Sequence, residues 1–148
     1  MAQQVGSSLY DSVVLIDSGA FIALADRTDR YHADALECLT RISAHRLPIY
    51  APSPVIFETH RKLLHQIGYW AALRFLRSAY DGSVNIVRPV SGDEMSARAL
   101  VERYESMALT LSDAASMAIM TRLGIGVCFS FDYDFVNAGF LRIPPFHR

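Results

Sequence analysis

The sequence predicts an α/β domain with a mostly parallel central sheet of four or five strands and helices on both faces. Two short, unbroken apolar runs, Val13-Val14-Leu15-Ile16 and Gly126-Val127-Cys128-Phe129, read as fully buried strands of the parallel kind. Between them lie longer stretches whose apolar residues recur at helical spacing. Strand and helix alternate along the chain, which calls for right-handed crossovers. At 148 residues, the chain has the usual size of one domain, and its 51% hydrophobic content supplies a core.

Met1 to Tyr10 is polar and read as a flexible segment, leaving residues 11–148 as the folded domain. The first strand ends at Asp17, and Ser18-Gly19-Ala20 turns into a helix over Phe21 to Ala25. A second helix spans Tyr31 to Ala44, with Ala35, Leu36, Leu39 and Ile42 on one face. Leu47 to Tyr50 is a brief strand. Ser53 is placed to cap the next helix and Pro54 to occupy its first position, where a missing N–H costs nothing. Gly68 separates that helix from another over Trp70 to Tyr80. Val84 to Val87 is a third strand. Ser91-Gly92-Asp93-Glu94 has the Ser-x-x-Glu capping-box pattern and opens a helix through Tyr104. Ser112 is placed to cap a helix over Asp113 to Arg122 that stops at Gly124. After the fourth strand come a loop from Ser130 to Phe135 and a Pro144-Pro145 tail with no pattern of its own.

Composition excludes several classes of function. The 14 basic and 15 acidic residues give a net charge of −1, so no global field draws in nucleic acid or an anionic membrane. A polyanionic partner must be held locally. Lys62 is the only lysine among the basic residues, a bias that suits phosphate contacts but that a GC-rich genome would also produce. Cys38 and Cys128 show no metal or redox spacing and read as buried thiols. No stretch reaches the roughly 18 apolar residues needed to span a bilayer, and no basic, apolar leader opens the chain. The expected location is the cytosol.

Four acids carry the functional reading. Asp17 closes one buried strand and Asp132 follows another, at the carboxyl ends where open α/β sheets bind ligands. Asp113 begins the helix feeding the Asp132 strand, so the two should meet; Glu58, early in a helix after a short strand, joins them less firmly. Converging carboxylates repel one another unless a cation is bound. Oxygen donors without His or Cys select a hard ion, Mg²⁺ or Mn²⁺, and that chemistry suits phosphodiester hydrolysis. Each acid also has a plainer explanation. Asp17 and Asp113 suit helix N-termini, Glu58 can pair with Lys62 one turn on, and Asp132 and Asp134 can shape a turn. Singly these outweigh the functional reading; jointly they do not.

In order, VVLIDSGAFIAL, PSPVIFETHRKLL, LSDAASMAIM and VCFSFDYDF resemble the four acidic motifs of PIN-domain ribonucleases, from about Val13 to Phe140. The chain is similar to the small single-domain PIN proteins, among them the VapC-type toxins of bacterial and archaeal toxin–antitoxin pairs. The resemblance implies a PIN-like nuclease domain in which Asp17, Asp113 and Asp132 bind the metal. Glu58 completes a catalytic quartet. Asp134 matches a further acid of the family, and Ser130 a position often held by Thr or Ser that orients a carboxylate or water. It also implies endonucleolytic cleavage of RNA, a homodimer, and an antitoxin whose segment occupies the site. A housekeeping PIN nuclease of RNA maturation and a non-catalytic RNA-binding relative remain as alternatives. A phosphoacceptor receiver domain fits poorly, because Asp17 lacks an acidic partner and Lys62 lies in a helix.

Other residues give weaker signals. His32 could approach substrate or be structural; His45, His60, His65 and His147 have no metal spacing. Arg27, Arg30, Arg61, Arg74 and Arg77 are candidates for phosphate contact or solvated surface. Tyr69, Trp70, Phe75 and Tyr80 could stack bases, although the spacing of Trp70, Leu73 and Leu76 favours packing or a dimer face.

Overall fold

The structure is a computed structural model that describes residues 12–145. The expected flexible segment at 1–10, and His147, lie outside them. Strand β1 (Val14–Ile16) leads into α1 (Ser18–Ala25) and α2 (His32–Ala44), followed by β2 (Ile49–Pro52), α3 (Ser53–Gln66) and α4 (Tyr69–Tyr80). Then come β3 (Asn85–Val87), α5 (Ser91–Arg103), a 3₁₀ turn (Glu105–Met107), α6 (Leu111–Leu123) and β4 (Val127–Phe129). The short α7 (Asp134–Asn137) and β5 (Leu141–Ile143) complete the order.

All five strands are parallel, in the order β3-β2-β1-β4-β5. Register explains the two-sided core. Leu15 pairs with Cys128, and both point into one apolar cluster with Met117, Met120 and Phe135. Val14 and Ile16 pair with Val127 and Phe129 and point the other way, against Phe21, Ile42, Ile56, Leu63 and Phe75. Strands covered on both sides must be apolar at every position, and β1 and β4 are buried throughout. The chain steps outward from β1 to β2 and β3, then returns to the opposite side of β1 as β4. The resulting reversal of strand order opens a crevice beyond the carboxyl ends of β1 and β4.

Several expected element boundaries shift, each for a local reason. Helix α1 starts directly at Ser18 because Asp17 Oδ1 accepts from Ala20 N at 2.9 Å, capping three residues earlier than expected. Ser53 does not cap α3: it lies inside the helix, and extended Pro52 precedes it. Ser91 is likewise the first helical residue of α5. The carboxylate of Asp93, not Glu94, reaches back to Val90 N at 2.9 Å. Thr110, not Ser112, caps α6, its hydroxyl accepting from Asp113 N at 3.1 Å. Ser112 Oγ is buried with no partner. Gly124 ends α6 in the left-handed conformation that glycine tolerates best, φ 70°. The fifth strand and α7 go beyond the sequence reading, which treated the last residues as a tail. No helix among the described residues is long and apolar enough to cross a membrane.

Candidate active site

Asp17, Glu58, Asp113 and Asp132 line one cleft of about 600 Å³ at the switch between β1 and β4. Asp17 is held there by the β1 end and by its capping bond to α1. Glu58 comes from the second turn of α3, Asp113 from the first turn of α6, and Asp132 from the loop after β4. Asp134, one residue past the loop tyrosine, begins α7 and donates its N–H to Asp132 Oδ1 at 2.9 Å. The expected contact between the start of α6 and the end of β4 is present. Carboxylate oxygens of Asp113, Asp132 and Asp134 lie within 4.8 Å of one another.

Asp17 occupies a different position in the cluster. It is 4% exposed, and both oxygens accept hydrogen bonds, Oδ1 from Ala20 N and Oδ2 from the Ser130 hydroxyl. Ser130 Oγ in turn accepts from Asp132 N at 2.9 Å, so one buried hydroxyl links two of the acids. Burial pushes the Asp17 carboxyl up to about 6 despite these bonds, and the charges of Asp132 and Glu58 add to the rise. Asp113 is pushed further, to about 7, by burial first and then by Asp17, Asp132 and Glu58. Asp134 is raised by burial and by Asp132. Glu58 combines the plain and the functional expectation. Its Oε1 pairs with Lys62 Nζ at 3.1 Å, while its Oε2 is buried with no partner.

A buried acceptor without a donor, and acids that resist ionisation together, describe a site that favours a positive charge. The donors are all oxygen, and the spacing of Asp113, Asp132 and Asp134 suits a single hard cation. Among the described residues lining the cleft, Lys62 is the one basic side chain.

The weaker candidates separate. His32 is structural, its Nδ1 lying 2.7 Å from the Ala23 carbonyl. Phe75 is a core residue, edge-on to Phe21 at 5.0 Å, and so is not available to stack a base. Tyr69 and Trp70 are exposed and pack edge-to-face on each other, away from the acidic cleft. Arg27, Arg30, Arg61, Arg74 and Arg77 do not line that cleft; Arg30 instead lies over the Tyr31 ring at 4.5 Å. Two features escaped the sequence reading. Arg142, on β5, is 7% exposed and within electrostatic reach of Asp17 and Asp132. Tyr31, Phe131 and Tyr133 form an aromatic wall of the cleft. The bulky residues alternating with acids in SFDYDF were the available signal for that wall.

Known proteins resemble this chain in sequence and fold. The chain is 27% identical over 134 residues to the 23S rRNA-specific endonuclease VapC20 of Mycobacterium tuberculosis, covering 90% of this chain and 99% of that one. The crystal structure of M. tuberculosis VapC20, described as a Sarcin-Ricin loop cleaving toxin, superposes with a TM-score of 0.80 at 26% identity. The match covers 89% of this chain and 99% of the other. The fold also matches FitAcB of Neisseria gonorrhoeae (TM-score 0.67, 10% identity, 92% and 100% covered). VapBC2 of Rickettsia felis, solved with a promoter DNA fragment, matches at TM-score 0.63 and 11% identity, with 88% and 96% covered. The model of the PIN domain family matches residues 14–141, and the chain belongs to that family.

Proposed function

We propose that this chain is a Mg²⁺-dependent endoribonuclease, and the toxin of a toxin–antitoxin pair. The observation that carries the reading is the convergence of Asp17, Glu58, Asp113 and Asp132 from four separate segments, with Asp17 and Asp113 held against ionisation. Such a cluster costs folding energy unless a cation completes it. Similarity to an endonuclease named for 23S rRNA supports RNA as the substrate.

Asp113 and Asp132 would hold the ion, with Asp17 and Asp134 as further carboxylates beside them. When bound, Mg²⁺, or Mn²⁺ in its place, supplies Lewis-acid polarisation of a phosphoryl oxygen and lowers the pKa of an attacking water. The chain's own groups do the rest. Glu58 Oε2, buried and unpartnered, accepts a hydrogen bond from that water and aims it. Ser130 donates to Asp17, which favours its ionised form against the effect of burial, and accepts from the backbone N–H of Asp132. Lys62 brings positive charge to the cleft wall where a phosphate approaches. Attack in line at phosphorus releases a 5′-phosphate and a 3′-hydroxyl.

The same reading includes a homodimer, a cognate antitoxin protein that covers the cleft, and a cytosolic location. The test is RNA cleavage with Mg²⁺ or Mn²⁺. Asp17→Asn and Asp113→Asn should each reduce the rate by at least about 100-fold, and EDTA should abolish it. Undiminished cutting by either variant, or in excess EDTA, sinks the site assignment. Growth arrest on expression, relieved by the product of an adjacent short reading frame, tests the toxin assignment.

A further inference from the structure

A fixed positive charge stands behind the acids, within the sheet that carries them. Arg142 is the middle residue of β5, where it pairs with Cys128 of β4. Paired residues of parallel strands project to the same face, and so do residues two apart on one strand. Both ladders run on past their strands: Ser130 N donates to the Ile143 carbonyl at 3.0 Å, and Asp17 N to the Phe129 carbonyl at 3.2 Å. Cys128, Ser130 and Arg142 therefore share a face, and across the β1–β4 pairing Leu15 and Asp17 share it too. On that face the Ser130 hydroxyl donates to Asp17 and accepts from Asp132 N.

Arg142 is 7% exposed and does not line the acidic cleft. Burying a guanidinium is costly unless acceptors or opposite charge compensate it. Burial lowers its pKa, while Tyr133, Tyr31, Asp17 and Asp132 act, in that order, to keep the charge. Its strand partner Cys128 lies under the influence of Asp17, Asp113 and Asp132 as well as of Arg142, which sets the guanidinium and the acids around one buried thiol.

Lys62, the basic group of the cleft wall, differs in kind. It is partly exposed on a flexible stem and pairs with Glu58 on its own helix. Arg142 is anchored on both sides, by Leu141 N on the Gly126 carbonyl at 2.9 Å and by the Ile143 carbonyl on Ser130 N. Its charge stays with the acids whether or not a cation is bound.

That permanence has a chemical use. One dication does not neutralise Asp17, Asp113, Asp132 and Asp134 together, and a phosphodiester brings further negative charge. A cation fixed behind the acids offsets part of their field, so more of the bound ion's charge is left for a phosphoryl oxygen. The same charge repels the ion.

We propose that Arg142 is a positioning residue that serves as a built-in counter-charge: held on β5 behind Asp17 and Asp132, it limits how tightly the acids grip their divalent cation. This rests on the cation-dependent nuclease reading above and adds to it a residue outside the acidic quartet.

The experiment reads Mn²⁺ binding to the full chain by calorimetry at pH 8, above the values of about 6 and about 7 to which Asp17 and Asp113 are raised. Arg142→Met, which keeps an unbranched stem and loses the charge, should tighten Mn²⁺ binding about 5- to 10-fold. Arg142→Lys, which keeps the charge, should bind as the unaltered chain does. A purely structural arginine predicts the opposite sign, because a loosened β5 would spread the acids and weaken binding. Should Arg142→Met fold only when Mn²⁺ is added, by circular dichroism, while Arg142→Lys folds without it, the missing counter-charge is the cause and the proposal holds. Unchanged or weaker binding by Arg142→Met, equal tightening by Arg142→Lys, a need of both variants for Mn²⁺, or a Met variant that Mn²⁺ does not fold overturns the proposal alone. No Mn²⁺ binding by the unaltered chain overturns the cation-dependent reading, and this one with it.

Discussion

Burial and neighbouring negative charge both oppose ionisation of Asp17, and the Ser130 hydroxyl is the largest influence acting the other way. Ser130→Ala removes the donor to Asp17 and the acceptor for Asp132 N together. Leaving the buried Asp17 oxygen and the part-buried Asp132 N–H without this partner costs about 1–3 kcal/mol of stability, and Asp17 then ionises only at still higher pH. The expected result is a lower melting temperature and a pH–rate profile whose rise moves to higher pH, with Ser130→Thr restoring both. A profile that keeps its position while activity falls would show that Ser130 serves packing alone. At this scale, the acids were legible because Asp17 and Asp132 each follow an unbroken apolar run, a pattern that fixes a strand end without knowledge of the fold. Arg142 was not legible. A single arginine between Leu141 and Ile143 carries no signal until β5 pairs with β4 and turns it toward the acids.

Helix starts show where a sequence pattern and a fold diverge by one to three residues. Asp113 depends on the first turn of α6, and two nearby hydroxyls could have capped it. Thr110 has the extended backbone that a cap requires, φ −70° and ψ 152°, and its oxygen takes the Asp113 N–H; Ser112 is already helical, with its oxygen buried and unpartnered. Thr110→Ala should therefore lower stability by about 1 kcal/mol, or about 3 °C in Tm, and reduce activity by loosening Asp113. Ser112→Ala should be near neutral, since its hydroxyl satisfies nothing. Thermal melts of the two variants decide between the caps, and equal losses would refute the assignment. The same offset occurs at α5, where Asp93 takes the reciprocal capping role and is also clasped by Arg122 at 2.8 to 3.1 Å. Cap residues lie where strand and helix directions meet, and that geometry is set by tertiary packing as much as by local composition. Element type was legible from periodicity; the first residue of each helix was not.

At the scale of the whole molecule, these acids make stability depend on pH with opposite signs in two windows. Arg122 holds the Asp93 carboxyl below its ordinary range, so its contribution is present at neutral pH and is lost as pH falls below about 4. Asp17 and Asp113 act the other way. Their folded values, about 6 and about 7, lie above the unfolded value of 3.8. Between those limits the folded chain binds more protons than the unfolded one, and stability falls as pH rises. For Asp17 alone, the loss is on the order of 3 kcal/mol once pH exceeds 6. The metal-free protein should thus be most stable at about pH 4 and melt several degrees lower at pH 8. Mg²⁺ competes with protons for the same oxygens, so it should raise Tm more at pH 8 than at pH 5, where protonation already relieves the repulsion. Asp113→Asn removes one of the charges that cannot coexist, and should flatten the pH dependence and weaken the Mg²⁺ response together. Calorimetric melts of both chains in EDTA and in Mg²⁺ across pH 4 to 8 provide the check. A pH-independent Tm in EDTA would mean that the four segments meeting at the β1–β4 crevice carry no electrostatic strain for a cation to relieve.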